Sequence, residues 1–363
     1  MTITINTKPI VRLADIGAFL LCPNLSIEYP KGYCGLEWFK GGAEGIAALC
    51  EKTIAEKNKK ITIAIPGYFC GQTIRFLRSM PVNIVFYELL EGLTPDFQKL
   101  EEQFSYVEVD IFVLVHYFGA IQSQRESRIF ADSQNAILLE DAAHVCSHKQ
   151  KDWLGDYLLF CPHKHFASAP IAFLVHKTPN SFNSESKHHE YPIFPIKWLL
   201  KQIIRPIFKR NISSWGPVYS KEVQNIKRKL PDRHSIKVAL YNLQNSDDSA
   251  RARKNNATIL LERLSHIGGW HQFISLSMSD TPYLLAMVCD DANIARRRYK
   301  QLNARNSLVM QWPDMPYELQ SSNAICSQVA GWRDCILLFF VHQQLDVEKW
   351  LKEVSQVVNT KGF

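Results

Sequence analysis

Two neighbouring acids and a lysine carry the first chemical suggestion in this chain. The run AILLEDAAHV (136–145) ends a short apolar stretch in Glu140 and Asp141, then passes through small residues to His144. An acid on a buried strand is costly unless a cation meets it. Asp141 therefore either caps a following helix or faces a positively charged ligand. Downstream, GDYLLFCPHKHFASAPIAFLV (155–175) places Lys164 between two histidines after another apolar run. Such a lysine is either a solvated surface group or, following a buried acid, a candidate for Schiff-base chemistry. Upstream, FKGGAEGIAAL (39–49) joins a glycine pair to a helix start. That is a phosphate cradle if its exposed N–H groups face a ligand, and plain loop geometry if they do not. In IPGYFCG (65–71), Tyr68 follows a strand, where an aromatic either stacks on a flat ligand or anchors a loop.

These residues need a scaffold to bring them together, and the strand and helix signals alternate in a way that supplies one. Strands are expected at ITIAI (61–65), NIVFYE (83–88), DIFVLV (110–115) and AILLE (136–140). Helices are expected between them, in AEGIAALCEKTIAEKNKK and in TPDFQKLEEQF, the latter with Thr94 as N-cap and Pro95 at its first position. This order predicts an α/β fold with a mixed, mostly parallel sheet covered by helices on both faces. Ligands of such sheets sit beyond the carboxyl ends of the strands, where Glu140 and Asp141 fall. The pattern breaks in the polar stretch TPNSFNSESKHHE and the basic, apolar segment 196–210. That segment is either a membrane-surface helix interrupted by Pro206 or a helix packed at a junction. A smaller C-terminal α/β unit follows, with strands in YLLAMV, SLVM and CILLFF and helices in NNATILLERL, DANIARRRYKQL and LDVEKWLKEVSQVV. The expected division is a large domain over 1–205, a junction over 206–235 and a small domain over 236–363.

With 46% hydrophobic and 21% charged residues among 363, the composition is that of a soluble globular protein. No apolar stretch is long enough to span a bilayer, and MTITINTKPIVRLAD lacks the apolar core of a signal peptide. The nine cysteines include no CxxC pair, which points to reduced thiols and a cytoplasmic protein. A net charge of +7 suits small anionic substrates. No basic run is interleaved with aromatics, so nucleic acid is not an expected partner. Among His144, His148, His163 and His165 only the H-x-H around Lys164 has any ligand-like spacing, and no metal is expected.

Taken together, these stretches resemble the DegT/DnrJ/EryC1/StrS family of pyridoxal-phosphate-dependent sugar aminotransferases. The order of features is the family's: a glycine-containing helix start followed by AL, then a strand entering a proline-aromatic turn. After these come VHYFG (115–119), EDAAH (140–144), GD followed by F (155–160), and a lysine. RARKNNATILLERL (251–264), the pair Trp312–Pro313 and LLFFVHQQL (337–345) continue the likeness into the C-terminal half. EDAAH is its most specific part.

The resemblance implies a fold-type-I enzyme, homodimeric, using pyridoxal 5'-phosphate to pass an amino group from an amino acid such as glutamate to a nucleotide-linked keto-sugar. It implies that Asp141 pairs with the cofactor's pyridine nitrogen, His144 bonds its phenolic oxygen, and Tyr68 stacks on its ring. Lys164 holds the cofactor and shuttles protons, while Gly42 and Ala43 form the phosphate-binding helix start. His116 and Tyr117 either line the pocket or pack in the core, and Glu140 meets substrate or a neighbouring loop. Asn211, in RNISSW, corresponds to the asparagine that reaches the cofactor phosphate of the partner subunit. The family's serine before the lysine is absent, with Cys161 as nearest substitute, and its following glycine pair is replaced by SAPIAF. A register shift of one residue would put His163 or His165 at the lysine position, as in the family's dehydratase branch; the PxK spacing favours Lys164. A degenerate relative that binds cofactor or nucleotide sugar as a sensor is a further alternative.

Overall fold

The computed structural model describes residues 26–147, 152–179, 218–225, 230–266, 269–304, 309–312 and 314–358, with Pro9 and Phe182. The segment 196–210 and Asn211, His148 and Pro313 lie outside the described residues, as does part of the expected junction.

The apolar runs of the first half form one sheet. Its strands are β1 (Gly35–Phe39), β2 (Ile61–Pro66), β3 (Val82–Tyr87), β4 (Ile111–Val115), β5 (Ile137–Asp141), β6 (Tyr157–Phe160) and β7 (Ala172–His176). They lie in the order β1-β7-β6-β5-β4-β2-β3. The pairs β2–β3, β2–β4, β4–β5 and β5–β6 are parallel, while β7 runs against both β6 and β1. Because β7 is reversed, β1 regains the direction of the central strands, and its carboxyl end reaches the same edge as theirs. Every residue of β4, β6 and β7 is buried. Apolar side chains on both faces of these strands, with no alternation, are what a doubly covered sheet requires.

Helices connect the strands. α1 (Gly42–Lys57) starts two residues after β1 and packs against β1, β2, β6 and β7. α2 (Phe97–Gln103) begins later than the sequence suggests. Asp96, not Thr94, is its N-cap, accepting from the Lys99 N–H at 3.2 Å. Pro95 is drawn into a bridge with Leu89, so the extended chain continues past the proline. α3 (Gln124–Ser133) precedes β5, and the single turn α4 (Pro162–His165) follows β6.

Beyond a two-residue strand β8 (Tyr219–Ser220) come α5 (Arg233–Gln244) and α6 (Ser246–Ser265). A second sheet is built from β9 (Trp270–Gln272), β10 (Leu284–Cys289), β11 (Val309–Met310) and β13 (Ile336–Phe340), in the antiparallel order β11-β13-β10-β9. α7 (Ala292–Ala304), α8 (Asn323–Cys335) and α9 (Val347–Val358) accompany it, and β12 (Met315–Pro316) pairs with β8. The approach to β10 touches the carboxyl edge of the first sheet. The Tyr283 N–H donates to the Phe118 carbonyl at 2.7 Å, and the Arg253 guanidinium of α6 donates to the His165 carbonyl at 2.8 Å. At Gly119 (φ +99°) a Cβ would lie 2.1 Å from the Thr281 carbonyl oxygen, so only glycine permits this approach.

Candidate active site

The carboxyl ends of β1, β2, β4, β5 and β6 lie at one edge of the sheet; β5 ends in Asp141 itself, and Gly42, Tyr68, His116 and Cys161 follow the other four within a few residues. Successive residues of a strand point to opposite faces, so Glu140 and Asp141 at the end of β5 have different surroundings.

Glu140 is completely buried and fully used. One carboxylate oxygen accepts from His116 Nε2 at 2.7 Å and Gln124 Nε2 at 2.8 Å. The other accepts from the Leu154 N–H at 2.8 Å and from the Gly155 N–H. These donors hold its carboxyl below the usual glutamate range despite burial, which is the largest single influence and acts in the opposite direction. Gly155 must be glycine here, since a Cβ would sit 3.0 Å from Glu140 Cγ and 2.9 Å from the Tyr157 carbonyl oxygen. Glu140 therefore ties β4, β5, α3 and the 154–155 loop together behind the site. His116, also fully buried, is its partner and lies against Trp153, with ring centroids 5.6 Å apart.

Asp141 faces the other way. Its Oδ1 accepts from the Ala143 N–H at 3.0 Å. Burial raises its carboxyl above the usual aspartate range, opposed by Lys164, the Ala143 N–H and His116 in that order. Asp141 is thus no helix N-cap: a turn, not a helix, follows it. Lys164, on α4, is half-buried, its Nζ 5.9 Å from the centroid of the Trp312 ring. The flanking histidines turn elsewhere. His163 Nδ1 lies 2.7 Å from the Ile171 carbonyl oxygen. His165 is buried edge-on against Tyr283 at 5.1 Å.

Cys161 precedes α4, and its buried thiol meets the Gly42 N–H at the start of α1. Burial pushes that thiol up to about 12 even though Lys164 and the Gly42 N–H pull it down. A Cβ on Gly42 would come within 3.1 Å of Cys161 Sγ, so a residue with no side chain lets helix and α4 close up. Ala43 is buried beside it, and the cap residue Gly41 offers no side-chain acceptor to the first turn. Glu44 accepts the Lys40 N–H at 3.0 Å.

His144 lies in an aromatic stack. Its ring is nearly parallel to Phe118 (5.7 Å, 9°) and Tyr283 (4.8 Å, 18°), with Trp312 edge-on (4.8 Å, 88°). Burial, then Lys164 and His165, push its pKa well below the usual histidine range, so the ring is neutral. Nδ1 accepts from the Phe118 N–H at 3.3 Å, which leaves the hydrogen on Nε2, a buried atom with no hydrogen-bond partner among the described residues.

The structure thus brings together Gly42, Ala43, Asp141, His144, Cys161 and Lys164. Tyr117 lies behind them, donating its hydroxyl to the Tyr68 carbonyl at 2.6 Å. Tyr68 is buried with its ring edge-on to Tyr117 at 5.9 Å, and its hydroxyl is raised by burial and lowered by Arg333 of α8. Sequence reasoning did not single out Phe118 or Tyr283 as site residues. Phe118 had a signal, since VHYFG must turn sharply and Phe118 itself adopts φ +53°. Tyr283, from a distant part of the chain, had none. No group of three or more His, Cys, Asp or Glu suited to a metal occurs among the described residues. Nor does any helix there have the length and apolarity to cross a membrane.

No family model matches the chain, and no curated protein matches it by sequence. Solved structures share its fold. Helicobacter pylori PseC, an aminotransferase involved in the biosynthesis of pseudoaminic acid, aligns over 96% of this chain and 96% of its own, at 13% identity and a TM-score of 0.70. E. coli GDP-4-keto-6-deoxy-D-mannose-3-dehydratase, solved with bound hydrated PLP, aligns over 90% and 88%, at 14% identity and a TM-score of 0.67. A DegT DnrJ EryC1 StrS aminotransferase from Brucella abortus aligns over 97% and 92%, at 12% identity and a TM-score of 0.63. The likeness at these identities is one of fold, that of the fold-type-I PLP-dependent aminotransferases.

Proposed function

We propose that this chain is a pyridoxal-phosphate-dependent aminotransferase, moving an amino group from glutamate to a keto-sugar carried on a nucleotide, as a cytoplasmic homodimer. The observation that carries this reading is the placement of Lys164 and Asp141. Both lie at the carboxyl edge of the sheet, with the lysine's charge acting on a buried carboxylate while His163 and His165 turn away. That orientation favours an aminotransferase over a dehydratase with histidine at the lysine position.

The residues present fit the cofactor. The His144 Nε2–H is a buried donor with no partner among the described residues, suited to a phenolate oxygen. Gly41 caps a helix of 16 residues with no side-chain cap bond, and a Cβ there would meet nothing within 4 Å, so the backbone is approachable at the phosphate end. When bound, pyridoxal phosphate supplies an electron-withdrawing ring that stabilises negative charge at the substrate carbon. Asp141 would hold the ring nitrogen in its cationic form. His144 would orient the ring through its Nε2–H. The N–H groups of Gly42 and Ala43 would receive the phosphate, with Cys161 where a hydroxyl is usual. Lys164 Nζ, 5.9 Å from the centroid of the Trp312 ring, would attach the cofactor and carry the proton to and from the reacting carbon. The positive net charge of +7 suits a nucleotide diphosphate.

The test is a single-turnover assay. Purified protein loaded with pyridoxal phosphate should show a visible band, yield a borohydride-stable adduct on Lys164, and convert glutamate to 2-oxoglutarate with formation of the pyridoxamine form. Lys164→Ala should lose the adduct. A protein that stays colourless with added cofactor overturns the enzyme reading in favour of a sensor. Cofactor binding without glutamate turnover overturns glutamate as the amino donor.

A further inference from the structure

The stretch RARKNNATILLERL places Arg253 in α6, and the chemistry proposed above makes no use of it. Arg253 is 1% exposed, and all its hydrogen bonds among the described residues go to backbone carbonyls. Its Nη2 donates to the His165 carbonyl at 2.8 Å. Its Nη1 lies 3.5 Å and 3.4 Å from the Pro282 and Tyr283 carbonyl oxygens. His165 follows Lys164 and is the last residue of α4, a single turn whose carbonyls have no further turn to supply donors. Within that turn the Lys164 N–H donates to the Cys161 carbonyl at 3.0 Å and the Phe166 N–H to the Pro162 carbonyl at 2.9 Å. A second donor from the C-terminal half, Gln343 Nε2 beyond β13, reaches the same His165 carbonyl at 3.1 Å.

We propose that Arg253 is a positioning residue that fixes the turn carrying Lys164 against the 282–283 segment, so that the lysine amine is presented in one orientation. The consequence for Lys164 chemistry rests on the cofactor reading above. A helix of one turn is marginal by itself, since few of its backbone bonds offset the entropy of ordering it. A guanidinium donor is stronger than a neutral one, and its planar fork can serve two acceptors in a fixed geometry. Tyr283 does not depend on Arg253 for its place. Its N–H donates to the Phe118 carbonyl at 2.7 Å, and its ring stacks on His144. The guanidinium is therefore a strut, with one end on a segment held independently and the other on the turn of the lysine.

The test uses the full chain with Arg253→Met, which keeps an apolar stem and removes every donor. Hydrogen exchange of the cofactor-free protein is read by mass spectrometry on peptides covering 162–168 and 111–115. The α4 turn should exchange about tenfold faster while β4 is unchanged. The borohydride-trapped adduct on Lys164 should form about tenfold more slowly with pyridoxal phosphate, because the amine is less well placed. The Kd for pyridoxamine phosphate, which has no aldehyde to meet the lysine, should stay within about threefold of wild type. Turn exchange at the wild-type rate overturns the proposal. An equal rise in β4, or an equal loss of pyridoxamine phosphate affinity, also overturns it by marking a merely structural role. If Arg253→Met does not fold, as judged by circular dichroism, Gln343→Leu removes the other donor to the same carbonyl and is held to the same outcomes. Faster turn exchange with an unchanged adduct rate removes this proposal alone. Wild-type protein that binds neither form of the cofactor removes the cofactor reading, while the exchange measurement still decides whether Arg253 fixes the turn.

Discussion

The two faces of the sheet at the end of β5 differ more than one residue of sequence would suggest. On the Glu140 face every oxygen is taken by a donor, and the acid is held below its usual pKa range. On the Asp141 face a single backbone bond is made, and burial raises the acid above its usual range. Glu140 is arranged to stabilise the protein, whereas Asp141 is held at a cost. Residues kept in unfavourable surroundings by their fold concentrate where ligands bind.

This contrast can be broken by experiment, most severely at the site itself. Lys164→Ala should lower the glutamate half-reaction about a thousandfold, a loss of proton transfer read by stopped-flow absorbance. A variant within tenfold of wild type would mean that the Asp141 face is not the reacting one. Glu140→Ala should cost about 3–5 kcal/mol, read by urea unfolding, because it leaves His116, Gln124 and two N–H groups buried without their acceptor. A loss under about 1 kcal/mol would show the network to be dispensable.

Acidification should separate the two carboxylates. The Glu140 pKa is lowered by folding, so its stabilisation is fully present above its reference value of 4.5 and is lost as pH falls through the folded value. For Asp141, raised from 3.8, ionisation at neutral pH opposes folding. Asp141→Asn should therefore stabilise the cofactor-free protein by about 1 kcal/mol at neutral pH while abolishing tight cofactor binding. Destabilisation by that substitution would place Asp141 with Glu140 as a structural acid. As a small reference far from both faces, Asp96→Ala should cost about 1 kcal/mol through loss of the α2 cap.

Much of this site was legible in the sequence. The strands around β2, β3, β4 and β5 were marked by β-rich apolar runs, and the carboxyl end of β5 was the natural place for a ligand. Asp141 and Lys164 could be selected because EDAAH and the PxK spacing resemble the family's pattern; on local sequence alone the acid was as readily a helix cap and the lysine a surface group. Glu140 was harder. Its sequence neighbourhood is the same as that of Asp141, and only the positions of Gln124, Leu154 and Gly155 show that it is saturated. The α2 start was misplaced because Thr-Pro is a good local helix opening, yet the bridge between Leu89 and Pro95 holds the chain extended until Asp96.

By itself the chain determined the strands β2, β3, β4, β5, β10 and β13, the helices α1, α6, α7 and α9, and which side chains carry charge into apolar surroundings. These follow from residue types and spacing within a few positions of one another. Tertiary structure alone decided that β1 pairs with β7, which brings the α1 start beside Cys161. It also decided that Tyr283 and Trp312 close on His144. These outcomes depend on contacts between residues more than a hundred positions apart, and on which face of the sheet each side chain leaves. Local spacing carries no record of either.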